Sequence, residues 1–403
     1  MNVTILPSLA KGTVLAPPSK SMAHRLLIGS GLSKGRSIIR GLAPSQDILA
    51  TLDCLTALGA SWTYEGDTVT MDGLDPSALQ ARDVLRCRES GSTLRFFLPL
   101  CLLSQQEAVL EGAETLLSRP LSVYEDLCAS QSLAFSNDGK QVRVQGKLQS
   151  GTFTLPGDIS SQFISGLLFA LPLLPGNSTL CLTGPVESRS YIDLTLSALA
   201  QFGVSARWVD DRTLEIPGGQ CYTPCETAVE GDYSNAAFFE ALNVLGGSVT
   251  VTGLSESSGQ GDRIYQSYFK ALQKGPAVLS LKDCPDLGPV LFAAAAALHG
   301  GTFTETRRLR LKESDRGSAM AVELAKLGVS VQIEEDTIRV PGGALHPPKE
   351  ILCGHNDHRI VMALAVLLTK TGGTIAGAEA VAKSFPDFFD RIQELEVNLT
   401  HAS

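Results

Sequence analysis

The sequence predicts a two-domain α/β (α+β) protein, each domain an inside-out α/β barrel of three repeated βαβαββ units. Three observations carry this reading. At 403 residues the chain exceeds what one ordinary hydrophobic core supports, so two domains are expected. An apolar helix closed by glycine or Pro-Gly recurs six times along the chain, each time followed by a short β-rich segment and a second, amphipathic helix. Most copies then end in two strand-like runs joined by a tight polar turn.

The first helices of the six copies are expected over residues 21–28, 92–103, 161–171, 234–245, 287–299 and 358–369. Each opens from Ser, Asp or Asn and is apolar on nearly every side, the pattern of a buried helix. The strands after them fall at 37–40, 108–110, 178–182, 248–252, 302–304 and 374–375. Second helices follow over 47–58, 120–129, 191–202, 262–272, 317–327 and 386–395. Hairpins are expected around Glu65-Gly66-Asp67, Asn137-Asp138-Gly139, Asp210-Asp211-Arg212 and Glu334-Glu335-Asp336, with only a shortened version, 277–281, in the fourth copy.

The sixth copy runs out before its closing strands, while the N-terminus begins with two strands, 3–6 and 13–15, that no helix precedes. Giving both to the sixth copy makes one domain of residues 1–18 plus 230–403 and another of 19–229, with hinge crossings near Ser19 and Glu230. The apolar helices then pack inside and the sheets outside. Helix N-termini aimed at an interdomain cleft would give it partial positive charge.

The totals exclude several function classes. A net charge of −9 disfavours nucleic-acid and anionic-membrane partners. Nine scattered cysteines fit a reduced, cytoplasmic protein. Cys221 and Cys225 have no second pair, and His355 and His358 have no metal-binding partner motif, so no metal is expected. The N-terminus has neither a basic nor an apolar leader pattern, and the longest apolar run, 290–298, is too short to span a bilayer. No G-x-G-x-x-G, G-x4-G-K-[ST] or G-x-S-x-G motif is present, which leaves nucleotide and acyl-serine chemistry unsupported.

Cations mark the helix starts. Lys20 and Arg25 follow Pro17-Pro18-Ser19, and Arg119, Arg316 and Lys383 head later helices. A cation there opposes the helix dipole at a cost of roughly 0.3–1 kcal/mol, and a bound anion removes the conflict. Repeated at several starts, the pattern points to phosphate- or carboxylate-bearing ligands. Simpler roles compete for single residues: Asp47, Asp232 and Asp286 stand where N-caps stand, Glu313 lies in a charge run, Ser160 and Ser161 are redundant caps, and Gly91 suits a turn.

Taken in order, Ser19-Lys20-Ser21 with Arg25, Gly91 with Arg95, Arg119-Pro120, Ser160-Ser161-Gln162, Lys312-Glu313-Ser314-Asp315-Arg316, Asn356-Asp357-His358-Arg359 and Lys383-Ser384-Phe385-Pro386 resemble the enolpyruvyl transferases, on the branch that uses shikimate-3-phosphate. The resemblance runs from about residue 5 to residue 390. It implies transfer of the enolpyruvyl group of phosphoenolpyruvate to the 5-hydroxyl of shikimate-3-phosphate, with release of phosphate and no cofactor, by a cytoplasmic monomer. By the same resemblance Ser21, Arg25, Ser160, Ser161, Ser188, Tyr191 and Lys312 would hold shikimate-3-phosphate, with Gln162 between the ligands. Lys20, Gly91, Arg119, Arg316, Arg359 and Lys383 would hold phosphoenolpyruvate. Asp286 would be the base on the 5-hydroxyl and Glu313 the proton donor and acceptor at the methylene carbon, with Lys20 beside them.

Pro18, the Glu89-Ser90-Gly91-Ser92-Thr93 segment and Arg308 depart from the commoner residues of that branch. The nearest competing reading is a UDP-N-acetylglucosamine enolpyruvyl transferase, which carries a loop cysteine before Arg-Pro. Residues Gly112 to Ser118 contain no thiol, which counts against it. A non-catalytic phosphosugar binder, or a relative that processes RNA ends, is disfavoured by the retained carboxylates and by the acidic balance.

Overall fold

The computed structural model describes residues 1–402. The chain divides into two compact units, one of Met1–Pro17 with Gly231–Ser403 and the other of Pro18–Glu230. Within the first unit the Asp232 N–H donates to the Pro17 carbonyl at 2.8 Å; within the second the Ser19 N–H donates to the Glu230 carbonyl at 2.8 Å.

The Pro18–Glu230 unit contains three four-stranded sheets of one plan. In each, the strand before the first helix lies parallel to the strand after it, and the closing hairpin adds two antiparallel strands. Thr152–Pro156, for example, pairs in parallel with Ser178–Thr183, which pairs antiparallel with Thr213–Ile216. The first repeat borrows its opening strand, Glu226–Ala228, from the far end of the unit, where it pairs in parallel with Gly35–Arg40. A parallel neighbour needs a crossover, and the first helix supplies it.

The three first helices, Lys20–Gly31, Gly91–Cys101 and Ser161–Ala170, are buried along nearly their whole length. Small residues let them approach. A Cβ on Gly166 would lie 2.3 Å from both the Arg95 carbonyl oxygen and the Tyr124 hydroxyl. The second helices, Gln46–Leu58, Ser122–Ser130 and Arg189–Gln201, are buried on one side and wet on the other.

The unit of Met1–Pro17 with Gly231–Ser403 repeats the plan, except that its first sheet has two strands and no hairpin, with first helices Tyr233–Val244, Gly288–Ala297 and His358–Thr371. Its second helices are Tyr265–Lys274, Arg316–Lys326 and Phe388–Glu394. The helix expected from residue 262 is preceded by a 3-10 turn, Gly261–Ile264, and those expected from 120 and 386 start at Ser122 and Phe388, past their prolines.

Strand assignment differs from the sequence expectation in three places. Asn2–Ile5 does join the sixth repeat, between Gly373–Ala376 and Leu399–Ala402. The second N-terminal strand, Lys11–Leu15, instead pairs in parallel with Ser248–Thr252 and opens the fourth repeat. Residues Ala277–Ser280 are no shortened hairpin: they run parallel to Gly300–Thr304 as the opening strand of the fifth repeat. The sixth repeat also has a strand of its own at the C-terminus, Leu399–Ala402, too short for its alternation to stand out in sequence. Among the described residues, no helix is long and apolar enough to cross a membrane.

Candidate active site

In the Pro18–Glu230 unit the expected residues gather at the N-termini of the buried helices. Ser19 caps Lys20–Gly31 by accepting from the Met22 N–H. That cap leaves Lys20 as the first helical residue, and its Nζ lies 2.7 Å from Asp47 Oδ2, both side chains being mostly buried. Asp47 is therefore an ion-pair partner rather than the cap expected from sequence; Ser45 caps Gln46–Leu58. The electrostatic fault of a cation at this helix start is answered by a carboxylate from the neighbouring helix.

Arg25, one turn further on, is 3 % exposed. Its guanidinium donates to the Thr195 hydroxyl at 2.8 Å, the Ser21 carbonyl at 2.6 Å and the Tyr191 carbonyl at 2.9 Å. Burial among neutral acceptors lowers its pKa from the ordinary value to about 10. Ser21 and Tyr191 are thus brought to Arg25 by their backbone, with Ser165 bonded to Thr195 alongside at 2.7 Å. Ser188, at the start of Arg189–Gln201, holds φ 54 in the left-handed region while buried. A non-glycine residue there costs about 1–3 kcal/mol, a strain typical of ligand-holding turns.

Gly91, Arg119 and Gln162 also meet. A Cβ on Gly91 would lie 3.0 Å from Arg95 Nη1, 3.1 Å from Arg119 Nη1 and 3.7 Å from Gln162 Oε1. Gln162 accepts from Arg95 Nη1 at 2.7 Å and donates to the Ser92 hydroxyl at 2.9 Å. Gly91 is the first residue of its helix, capped by Ser90, and its missing side chain keeps the space between two arginines open. Ser160 caps Ser161–Ala170 through the Gln162 N–H, and Ser161 is buried beside it.

In the other unit a charged cluster centres on Arg316, the first residue of Arg316–Lys326 and 1 % exposed. Its Nη1 lies 2.8 Å from Asp286 Oδ1, its Nη2 2.7 Å from Glu313 Oε2, and its Nε 2.8 Å from Asp357 Oδ2. Asp286 also receives Lys312 Nζ at 3.0 Å and Arg359 Nη2 at 3.3 Å. Burial raises the Asp286 pKa, but Arg359, Lys312 and Arg316 outweigh it and hold the carboxyl well below the ordinary value. The Lys312 ammonium is lowered by the same burial, against the pull of Asp286. Three carboxylates facing it raise Arg316 above its ordinary value despite burial.

Asp286 does not cap. It lies in the 3-10 turn Pro285–Leu287, and Gly288–Ala297 starts without a side-chain cap, so the capping expectation fails there. Asp232 does cap, accepting from the Ser234 and Asn235 N–H groups. Lys383 Nζ donates to the Asn356 carbonyl at 2.6 Å. That carbonyl belongs to a turn in which His355 and Asn356 have φ 50 and 51, two successive left-handed residues. Arg308 is buried and donates to the Lys282 carbonyl.

Several of these contacts are not legible in the sequence. Asp47, Thr195 and Ser165 come from helices whose pairing with Lys20–Gly31 is not encoded locally. Arg95, read with Gly91 among the ordered motifs, follows it by four residues, one turn along the same face, but its bond to Gln162 comes from another helix. Asp357 is legible as the cap of His358–Thr371, and does accept from the Arg359 N–H at 2.9 Å, but its second bond to Arg316 is not. Among the described residues no group of three or more His, Cys, Asp or Glu could hold a metal ion.

Six repeats in two units, five of them βαβαββ-type and the fourth ending after its second helix, with carboxylates set among arginines and lysines at helix starts, define a class of group-transfer enzyme, the enolpyruvyl transferases. Within that class the chain belongs to the EPSP synthase (3-phosphoshikimate 1-carboxyvinyltransferase) family, whose family model matches residues 7–392. It is 38% identical over 419 residues to a 3-phosphoshikimate 1-carboxyvinyltransferase of Clostridium kluyveri, covering 98% of this chain and 97% of that one. The protein of the same name from Clostridium perfringens is also 38% identical, with 98% of each covered. An EPSP synthase structure from Acinetobacter baumannii shares the fold with TM-score 0.79 at 23% identity, covering 99% of this chain and 100% of the other. These names favour the shikimate branch over the UDP-N-acetylglucosamine reading.

Proposed function

We propose that this chain transfers the enolpyruvyl group of phosphoenolpyruvate to the 5-hydroxyl of shikimate-3-phosphate and releases phosphate. Family membership supports the reaction, and the observation that carries the residue roles is Arg316 holding both Asp286 and Glu313 on one guanidinium. Addition to an enol ether needs a base for the alcohol and an acid for carbon, and two carboxylates so linked suit a coupled pair of proton transfers.

In this reading the 5-hydroxyl oxygen bonds to C2 of phosphoenolpyruvate while Asp286 takes the hydroxyl proton. Glu313, protonated once the anionic substrate takes its place on Arg316, delivers a proton to the methylene carbon, giving a tetrahedral intermediate. That intermediate then returns the carbon proton to Glu313, its bond to the phosphate oxygen breaks, the double bond re-forms, and the proton held by Asp286 leaves with the phosphate. Asp286 is a weak base on its own, since its neighbours hold it ionised; the hydroxyl becomes acidic only as its oxygen bonds to carbon, which is when the proton moves.

Lys20, Gly91, Arg119, Arg316, Arg359 and Lys383 are assigned to phosphoenolpyruvate, with Lys20 also placed as a catalytic cation. The two Arg316 Nη groups that hold carboxylates here are the ones an incoming phosphate or carboxylate would take. Ser21, Arg25, Ser160, Ser161, Ser188, Tyr191 and Lys312 are assigned to shikimate-3-phosphate, and Gln162 to both. Arg25 favours this role because its surroundings are neutral acceptors rather than carboxylates, so a phosphate would meet an uncompensated buried charge. The enzyme is placed as a monomer in the cytoplasm, using neither metal nor redox cofactor.

The test is release of phosphate from phosphoenolpyruvate that depends on added shikimate-3-phosphate, run in parallel in D2O. Deuterium in the product methylene is expected from protonation and deprotonation at that carbon. Phosphate release with a methylene free of deuterium would contradict the role given to Glu313.

A further inference from the structure

Glu323 sits near the far end of the helix Arg316–Lys326 that Arg316 begins, and it is 0 % exposed. Its two oxygens are shared among three donors. Oε2 takes Lys326 Nζ at 2.9 Å and the Cys353 N–H at 2.9 Å. Oε1 takes the His355 Nε2 at 2.8 Å. The His355 side chain is itself 28 % exposed, so a ring at the surface is tied to a carboxylate in the interior.

His355 and Asn356 are the two successive left-handed residues whose turn precedes Asp357. Such a turn persists only when its surroundings over-determine it. On the backbone side, the Gly354 N–H donates to the Ala376 carbonyl at 2.8 Å and the Asp357 N–H to the Gly354 carbonyl at 2.9 Å. The His355 N–H lies 3.4 Å from Cys353 Sγ, so the segment bonds to itself and to Ala376 through its backbone. Glu323 ties the segment to the helix, with one oxygen on the Cys353 N–H just before the turn and the other on the His355 ring within it. The peptide between residues 356 and 357 carries the carbonyl on which Lys383 Nζ rests; its N–H is the Asp357 group bonded to Gly354, and the Asp357 side chain holds Arg316.

We infer that Glu323 and His355 are positioning residues: a carboxylate–imidazole clamp that fixes the 355–356 turn and so aims Lys383 and Arg316 at the anionic substrate. The inference rests on the assignment of those two cations to phosphoenolpyruvate. Neither Glu323 nor His355 touches the reacting atoms; both act through the turn. The same helix thus carries a substrate cation at its first turn and the anchor of a second substrate cation at its last.

The experiment compares the full-length protein with His355→Ala, His355→Asn and His355→Gln, reading kcat and the KM for each substrate alongside thermal unfolding. Asparagine tolerates positive φ but is too short to reach Glu323, whereas glutamine can still present an N–H donor there. His355→Ala and His355→Asn are expected to raise the KM for phosphoenolpyruvate about tenfold, with the KM for shikimate-3-phosphate within about twofold, a scale set by small misplacements of binding groups. His355→Gln is expected to restore most of the loss. Equal KM values in all four proteins, an equal rise for both substrates, or His355→Asn behaving as wild type would overturn the clamp. If His355→Ala does not fold, the split between the asparagine and glutamine variants decides alone. Wild-type protein that does not release phosphate would instead defeat the assignment on which the clamp depends.

Discussion

Arg316 and Asp286 are joined at 2.8 Å through Nη1, and the other Nη of the same guanidinium reaches Glu313 at 2.7 Å. A planar fork can serve two carboxylates at once and a third through Nε, which an ammonium cannot. Arg316→Lys is therefore expected to lower kcat/KM by about a hundredfold or more, in line with loss of a positioned electrostatic contact. It also strips buried Asp357 of its guanidinium, and breaking a buried pair costs about 3–5 kcal/mol. Urea unfolding checks the second effect, and an unchanged midpoint would mean that lysine reaches Asp357 after all.

Asp286→Asn tests the base. Activity is expected to fall on the order of 10²–10⁴-fold while the fold is kept, since Asp286 caps no helix. Stability should follow pH in a defined direction. The folded carboxyl titrates well below its ordinary value of 3.8, so its stabilising contribution is complete above that pH and is lost as pH falls through the folded pKa. The stability gap between wild type and Asp286→Asn should thus be constant near neutrality and shrink below pH 3.8. A gap that widens in acid would reverse the sign.

His24 offers the opposite titration. It is buried beside Lys20 and Arg25, and its Nδ1 meets the Thr51 hydroxyl at 2.7 Å. Burial first, then the two cations, hold its pKa well below 6.5. As pH falls below 6.5 the unfolded chain takes up a proton that the folded one does not, so stability declines, by at most about 1.4 kcal/mol per pH unit for this group. His24→Asn, which can place an amide near Nδ1, should flatten the pH dependence between 6.5 and 5 without loss at pH 8. Guanidinium midpoints across that range are the measurement.

Gly91→Ala should leave the fold intact and raise the KM for phosphoenolpyruvate more than that for shikimate-3-phosphate. The new methyl would press on Arg95 and Arg119, at 3.0 and 3.1 Å. Steady-state kinetics with each substrate varied in turn give the answer; equal effects on both would place Gly91 elsewhere.

Periodicity made the helices legible. Six apolar helices buried all round, such as Gly288–Ala297, leave no polar face to confuse their assignment. Strand partnership was less legible because parallel pairing is non-local: Lys11–Leu15 finds Ser248–Thr252 more than two hundred residues away, and nothing in either strand names the other. The site divides along the same line. The resemblance supplied the cations and carboxylates by type and order. What each cation touches, Lys20 on Asp47 or Arg316 on Asp357, depends on which helices become neighbours. Asp286 and Asp47 looked like caps because acidic residues before helices usually are. Packing gave both to cations instead.

The acceptor is the most direct test of the account. Phosphate release from phosphoenolpyruvate should be measured in matched assays, one with shikimate-3-phosphate and one with UDP-N-acetylglucosamine. Turnover with the first and none with the second is expected. Turnover with UDP-N-acetylglucosamine and silence with shikimate-3-phosphate would contradict it.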